Sequence, residues 1–125
     1  HCILKSFNEK QILSNLKKYV SIFGNQIPIL DGKRIAKRYI WSHFKDKKII
    51  NMYSDMEERY FLHNGVAIYK KSFLIKNKFD EFLSGKEDRY WANNIVKKKH
   101  NFLYDPELSV EHHFTPNGNT WKGLQ

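Results

Sequence analysis

The sequence predicts an α/β protein, because segments with helical spacing of apolar residues alternate with short apolar runs typical of strands. Its 125 residues are enough for one domain at most, so residues 1–125 are treated as a single unit. Hydrophobic residues make up 41% of the chain and aromatic residues 15%, more than a disordered chain contains. The chain is therefore expected to fold around a packed core.

The first predicted element is a helix that follows a capping box. Ser6 is the predicted N-cap, and Glu9 stands at the spacing that lets its side chain reach back to the cap. Apolar residues then recur at helical spacing as far as Phe23, and Gly24 provides a left-handed stop.

A loop and a second helix are predicted next. Residues 24–32 read as a loop around Pro28. Asp31 is predicted to cap the second helix, because an aspartate can accept hydrogen bonds from the first free amides. The predicted buried face holds Ile35, Tyr39 and Phe44.

The second half predicts one strand, one well-marked helix and two further short strands. The run 66–69 is apolar and follows Asn-Gly, as strands often do. Ser84 and Glu87 form a second capping box ahead of the helix. Its predicted apolar side consists of Tyr90, Trp91, Ile95 and Val96. Short strands are predicted at 102–104 and 108–110, on either side of Pro106, with an irregular segment from His112 onward.

The positive charge is concentrated in the first part of the chain. The net charge is +9, of which residues 1–50 contribute +8 and residues 51–125 contribute +1. This distribution favours anionic partners and motivates one hypothesis, a basic nucleic-acid- or anionic-membrane-binding module in residues 1–50. No apolar run approaches the ~18 residues of a membrane span, and the single cysteine, Cys2, favours a reducing compartment.

Two pairs of polar residues are candidates for chemistry. Glu87 and Asp88 lie at the first turn of the best-marked helix, where a rigidly held carboxylate can act as a general base or simply favour the helix end. Side chains of adjacent helical residues point about 100° apart, so only one of the two can face a substrate. His112 and His113 follow a predicted strand, so they are expected to point to opposite faces. Either could ligate a metal only with carboxylates from elsewhere.

Two other positions are candidates for ligand contact. Asn64-Gly65 predicts a tight turn, or alternatively a backbone that approaches a ligand closely. Trp121 is predicted to lie in a loop among polar residues, a setting that favours stacking on a ligand. Trp91, at helical spacing, is expected to belong to the core instead.

Several short segments, in this order, resemble the second half of a family 2 glycosyltransferase. Gly24-Asn25-Gln26-Ile27-Pro28 resembles the segment that such enzymes carry between donor and acceptor halves. The other matching segments are Asn64-Gly65-Val66-Ala67-Ile68-Tyr69-Lys70-Lys71-Ser72, Phe79-Asp80-Glu81, Gly85-Lys86-Glu87-Asp88-Arg89-Tyr90-Trp91-Ala92, Tyr104-Asp105-Pro106 and Val110-Glu111-His112-His113. The resemblance covers most of the chain and implies a GT-A fold with a small mixed sheet.

The resemblance also implies roles for these residues. Asp88 matches the catalytic base that deprotonates an acceptor hydroxyl, and Glu87 matches its partner at the helix start. His112 or His113 matches the histidine that helps to hold Mg²⁺ or Mn²⁺ on the nucleotide diphosphate. The implied reaction is inverting, non-processive transfer from a nucleotide sugar to a glycan, a lipid-linked acceptor or a bacterial surface polysaccharide. A cytoplasmic location is expected, with peripheral association at the inner face of the membrane.

The chain also departs from the family pattern. It contains neither the metal-binding Asp-x-Asp motif nor the Gln-x-x-Arg-Trp motif of processive members, and its start does not resemble the nucleotide-binding βαβ unit. We therefore expect the acceptor-side part of a longer enzyme, inactive in isolation, with the nucleotide-binding half absent. A further hypothesis is a stand-alone structural domain derived from such a transferase.

Overall fold

The computed structural model describes residues 2–35 and 39–114, which form a curled, mixed β-sheet and a few helices. The strands are β1 (Cys2–Ser6), β2 (Ser21–Leu30), β3 (Lys33–Arg34), β4 (Ile49–Ile50), β5 (Tyr53–Ser54), β6 (Arg59–Tyr60), β7 (Ala67–Tyr69) and β8 (Phe102–Phe114). The α-helices are α1 (Glu9–Asn15), α2 (Lys71–Lys76) and α3 (Glu87–Lys97), and 3₁₀ helices span Tyr39–His43 and Asn64–Val66.

The sheet is built on two long parallel strands, β2 and β8. Ser21 pairs with Phe102 at one end and Leu30 pairs with Phe114 at the other. Strands β1 and β4 pair antiparallel with β8, while β3 and β7 pair antiparallel with β2. Strands β5 and β6 form a separate two-stranded sheet. Because β2 and β8 are central, side chains from distant parts of the sequence meet along them.

A bulge interrupts the β2–β8 pairing halfway. Gly24 pairs with Asp105, whereas the next residue, Asn25, pairs with Ser109, so residues 106–108 are excluded from the ladder. A Cβ on Gly24 would lie 2.0 Å from the carbonyl oxygen of Leu108, so only glycine lets the bulge pack against β2. The break that Pro106 predicts in the sequence is therefore a bulge inside one strand, a position that tolerates proline's missing N–H.

The two faces of the central strands are buried against different clusters. Ile22 and Leu103 pack on one side with Ile12 of α1. On the other side, the larger cluster contains Phe23, Phe102 and Tyr104 of the sheet together with Trp91, Ala92 and Ile95 of α3. The helix α3, which carries the predicted catalytic pair, is thus fixed to the sheet by its apolar side.

The prediction of a helix from Ser6 to Phe23 is wrong over most of its length. The helix α1 spans Glu9–Asn15, and Asn8 is its cap, with its side chain accepting a hydrogen bond from the amide of Gln11 at 3.1 Å. Ser6 belongs to β1, and the residues from Ser21 onward belong to β2. Pairing of this segment with β7 and β8 outweighs its helical apolar spacing, because β-branched and aromatic residues also suit a buried strand.

The predicted loop at 24–32 and the helix predicted from Asp31 are also wrong. Residues up to Leu30 continue strand β2, and Asp31 and Gly32 form a turn in which both have positive φ, 50° and 75°. This turn leads into β3, so Asp31 caps no helix. Of the predicted buried face, Ile35 is half-buried after β3 and Tyr39 lies in a 3₁₀ helix.

In the second half, the strand predicted at 66–69 and the helix after residue 86 are confirmed, with changes at their ends. β7 begins at Ala67, and α3 begins at Glu87. The predicted capping box of Ser84 and Glu87 is wrong: Lys86, in the left-handed conformation, occupies the cap position without a side-chain hydrogen bond. The predicted strands at 102–104 and 108–110 are one strand, which extends through His112 to Phe114.

None of the helices in the part of the chain that the structure describes is both long and apolar enough to cross a membrane.

Candidate functional site

One hydrogen-bonded network joins segments that the sequence analysis singled out. Gln26 on β2 is 2% exposed and lies beside β8. Its amide nitrogen is 2.7 Å from Nδ1 of His63, and its amide oxygen is 3.1 Å from Nδ1 of His112. These contacts span 37 and 86 residues of sequence, respectively. The parallel pairing of β2 with β8 makes the second contact possible.

The network fixes the protonation of the imidazole rings. The backbone amide of Gly65 donates to Nδ1 of His63 at 3.0 Å, so that nitrogen is an acceptor. The NH₂ group of Gln26 therefore donates to the same nitrogen, and the amide oxygen of Gln26 accepts from Nδ1–H of His112. His112 then carries its lone pair on Nε2. Burial is the largest cause that lowers the pKa of His112 below its usual 6.5, and the ring is therefore neutral at pH 7.

Gly65 makes room for this network. A Cβ on Gly65 would lie 2.3 Å from the amide atoms of Gln26. The close approach anticipated for Gly65 thus exists, and the neighbour that it admits is a buried side chain of the same protein. Cys2 also reaches this point, with its Sγ 3.9 Å from the carbonyl oxygen of Gly65.

The predicted base, Asp88, is connected to the same loop. It is 6% exposed, and its Oδ2 accepts from the backbone amide of Asn64 at 3.0 Å. Arg89 donates to both carboxylate oxygens, from Nη1 to Oδ2 at 2.9 Å and from its backbone amide to Oδ1 at 2.8 Å. A carboxylate has about four acceptor positions, so three donors leave roughly one open. Asp88 is therefore held rigidly, and these three contacts leave one of its acceptor positions unused.

Tyr69, which sequence reasoning missed, completes the surroundings of Asn64. Its hydroxyl donates a short hydrogen bond to Oδ1 of Asn64. Burial raises the pKa of Tyr69, and the negative charges of Asp88 and Glu87 raise it further, so the hydroxyl remains protonated. Both carboxylates are therefore close enough to act on Tyr69. The only sequence signal for this role is its position at the end of the strand that follows Asn64-Gly65.

A buried ion cluster lies next to Asp88. Glu57 has a side chain only 3% exposed, and Nε of Arg89 is 3.3 Å from its Oε2. Nζ of Lys86 is 3.8 Å from Oε1 of Glu57, and the guanidinium of Arg89 lies 4.3 Å above the ring of Phe61. No sequence pattern singles out Glu57, because nothing local distinguishes a carboxylate that a distant arginine will bury.

The ion cluster and the histidines border a cavity of about 300 Å³. Its lining consists of Tyr39, Ile40, Trp41, Glu57, His63, Gly85, Lys86, Arg89, His112 and Phe114. The ring of His112 stacks on that of Phe114 with centroids 3.9 Å apart. The volume is at the lower end of the ~300–1,000 Å³ range of ligand pockets.

The structure separates the two histidines that were candidates for a metal site. His112 joins the network around Gln26, while Nε2 of His113 lies 3.8 Å from Oε2 of Glu111 on the other face of β8. Residues 2–35 and 39–114 contain no group of three or more His, Cys, Asp or Glu side chains able to hold a metal ion. The described residues therefore provide one candidate metal ligand at this cavity, Nε2 of His112, and not a complete ligand set. Trp121 lies outside the described residues.

Comparison with known proteins gives no assignment. No protein-family model, no curated protein sequence and no solved structure matches this chain.

Proposed function

We propose that this chain is the acceptor-side part of a family 2 glycosyltransferase with a GT-A fold. The proposed reaction is inverting, non-processive transfer of a sugar from a nucleotide-sugar donor to a glycan or lipid-linked acceptor. We place the reaction in the cytoplasm, at the inner face of the membrane, where lipid-linked acceptors are accessible. The support comes from the sequence resemblance together with one structural observation.

That observation is the convergence of the motif residues. The segments that resemble family motifs are far apart in sequence, yet hydrogen bonds connect Asp88 to Asn64 and Gln26 to His112. Gln26 also contacts His63, the residue immediately before the motif segment that begins at Asn64. The three consecutive residues 63–65 link the two groups. A chance set of short matches would have no reason to meet in one place, whereas residues that share a reaction must do so.

In the proposed reaction, Asp88 is the general base. Its one open acceptor position would receive the proton of the acceptor hydroxyl as that oxygen attacks the anomeric carbon, and the nucleoside diphosphate would leave from the opposite side. Arg89 and the amide of Asn64 hold the carboxylate in a single orientation. Glu87, next to Asp88 on α3, adds negative charge at the helix start.

A divalent metal, Mg²⁺ or Mn²⁺, is part of the proposal for the complete enzyme. Such an ion neutralises charge on the leaving diphosphate. The chain would contribute Nε2 of His112, because the hydrogen bond to Gln26 leaves the lone pair on that nitrogen. The remaining ligands would have to come from the diphosphate and from the nucleotide-binding half. His113, which contacts Glu111 on the opposite face, is not proposed as a ligand.

The alternative of a basic binding module in residues 1–50 has only its charge in its favour. The centre of that segment is strand β2, whose residues 21–24 are buried in the sheet and unavailable to a nucleic acid or membrane. Retention on DNA or acidic vesicles that weakens steeply with salt would be the sign of such a module.

The proposal is tested by replacing Asp88 in an enzyme that contains this chain and a nucleotide-binding half. We expect Asp88→Asn to lower turnover by about 10²–10⁴-fold, the usual contribution of a general base, with little change in donor affinity. Glu87→Gln is the matched control, since it neutralises the adjacent carboxylate and should cost far less turnover. Undiminished turnover by Asp88→Asn would remove Asp88 as the base.

A further inference from the structure

Seven exposed lysines lie together on helix α2 and at the end of helix α3, on a surface that we call the lysine face. Lys70 and Lys71 stand at the start of α2, Lys76 and Lys78 stand at its end, and residues 97–99 at the end of α3 are all lysine. Every one of these residues is exposed. The acidic residues of the second half of the chain all lie outside these two segments, so their charge conceals the lysine face in the sum of +1.

Contacts between the two segments keep the lysines on one surface. The ring of Phe73 on α2 lies 4.6 Å from the ring of His100, which follows α3, measured between centroids. Nζ of Lys98 donates to Oδ1 of Asn77, just after α2, at 3.2 Å. Within residues 2–35 and 39–114, none of the seven lysines forms an ion pair with a carboxylate. Their charges repel one another and are available to an anionic partner.

The composition of the lysine face favours a membrane over a nucleic acid. Nucleic-acid sites use arginine, which contacts guanine through two parallel hydrogen bonds, and exposed aromatic rings on which bases stack. The lysine face contains no arginine, and the ring of Phe73 beside it packs edge-on against Trp91 and His100. It presents an aliphatic side chain instead, because Ile75, between the lysines of α2, is 60% exposed. Lysines around an exposed apolar side chain suit an anionic lipid surface.

We propose that the lysine face docks this protein on an anionic membrane surface, with the lysines at the lipid headgroups and Ile75 entering the interface. The inference rests on the proposed function, in which a lipid-linked acceptor lies in the membrane, and adds the surface through which the enzyme reaches it. Asp88 stands ten residues before Lys98, which corresponds to about 15 Å along α3. Docking therefore leaves the candidate site beside the membrane and uncovered.

Co-sedimentation with vesicles measures this docking directly. An enzyme that contains this chain and a nucleotide-binding half is mixed with vesicles of phosphatidylcholine and phosphatidylglycerol in equal amounts, or of phosphatidylcholine alone, in about 0.1 M NaCl. We expect binding to the anionic vesicles only, with an affinity that falls as salt is added, because the attraction is between exposed charges. Equal binding to both kinds of vesicle, or binding to neither, would overturn the proposal.

Two triple variants with the same loss of charge locate the binding surface. Each lysine close to an anionic membrane strengthens binding about fivefold, so changing Lys71, Lys76 and Lys97 to Gln should weaken binding to anionic vesicles about 100-fold. The melting temperature should stay near that of the parent, since the three residues are exposed and form no ion pair among the described residues. The matched control changes three exposed lysines outside the lysine face to Gln, namely Lys10, Lys33 and Lys48. An equal loss of affinity in both variants would show that net charge, and not this face, binds the vesicles.

Ile75→Ser separates a membrane from a nucleic acid. Loss of an inserted apolar side chain should weaken binding to anionic vesicles about tenfold and leave any binding to duplex DNA unchanged. Tighter binding of the parent enzyme to the duplex than to the vesicles would overturn the proposal.

The same preparations distinguish this inference from the proposed function. Vesicle binding through the lysine face combined with full turnover by Asp88→Asn would remove the proposed base and leave the docking surface standing. Loss of turnover by Asp88→Asn in an enzyme that binds no anionic vesicles would do the reverse.

Discussion

A single buried amide, that of Gln26, organises two histidines. Its NH₂ group and its carbonyl oxygen bind different rings, so the amide can lie in only one of its two orientations. The consequence for His112 is a fixed tautomer whose Nε2 carries the lone pair. Glutamine is suited to this task because it is a donor and an acceptor at once, which neither leucine nor glutamate is.

Replacing Gln26 should therefore change the tautomer of His112. In Gln26→Leu, Nδ1–H of His112 has no acceptor, so the proton is expected to redistribute to Nε2, and the free energy of unfolding should fall by about 1–3 kcal/mol for the unsatisfied group. Imidazole ¹⁵N chemical shifts report the tautomer, and urea unfolding reports the stability.

Gln26→Glu is the informative control for that experiment. A glutamate still accepts from His112, so the tautomer of His112 should persist, while the contact with Nδ1 of His63 becomes acceptor against acceptor. An unchanged His112 tautomer in Gln26→Leu would show that Gln26 does not position the ring.

At the scale of elements, the bulge between β2 and β8 determines the geometry of the site. It moves the register from Gly24 opposite Asp105 to Asn25 opposite Ser109, which sets which residues of β8 lie next to Gln26. Without the three excluded residues, Gln26 would stand beside a different part of β8, and its contact with His112 would be lost.

Gly24→Ala should reveal how strongly this bulge is fixed. The added Cβ meets backbone atoms of Leu108 at 2.0 and 2.7 Å, which cannot rotate away as a side chain could. We expect a loss of about 1–3 kcal/mol in the free energy of unfolding. The loss should be near the upper end of that range if the backbone of Leu108 does not shift. Ser72→Ala, at an exposed position on α2, is the control and should stay within about 0.5 kcal/mol of the parent protein. If the Gly24→Ala protein is as stable as its parent, the backbone of the bulge can move away from the added Cβ without loss of stability, and the bulge is not fixed in place.

Local patterns identified some elements and misassigned others, for a physical reason. Helix α3 and strand β7 were predictable, because the apolar side of α3 packs on the core and the run before Tyr69 is short and apolar. The segment before Gly24 was misassigned because its helical spacing is real but its partners, β7 and β8, lie about 45 and 80 residues further along the chain. Pairing with such distant strands leaves no mark in a local window.

At the scale of the whole molecule, the candidate site also combines residues that local sequence patterns reveal with residues that only the fold brings together. Asp88, Asn64, Gly65 and His112 could be singled out from sequence, because each belongs to a short recognisable segment. Their surroundings could not be. Glu57 and Trp41 lie in segments with no distinguishing pattern, and only the fold brings them to one cavity.

The central proposal is that this network takes part in glycosyl transfer with inversion, and the configuration of the product tests it most directly. An enzyme containing this chain and a nucleotide-binding half is given an α-linked nucleotide sugar, an acceptor and Mn²⁺, and the anomeric proton of the product is observed by NMR. We expect a β-linked product that the Asp88→Asn enzyme fails to form. An α-linked product, or transfer that does not depend on Asp88, would contradict it.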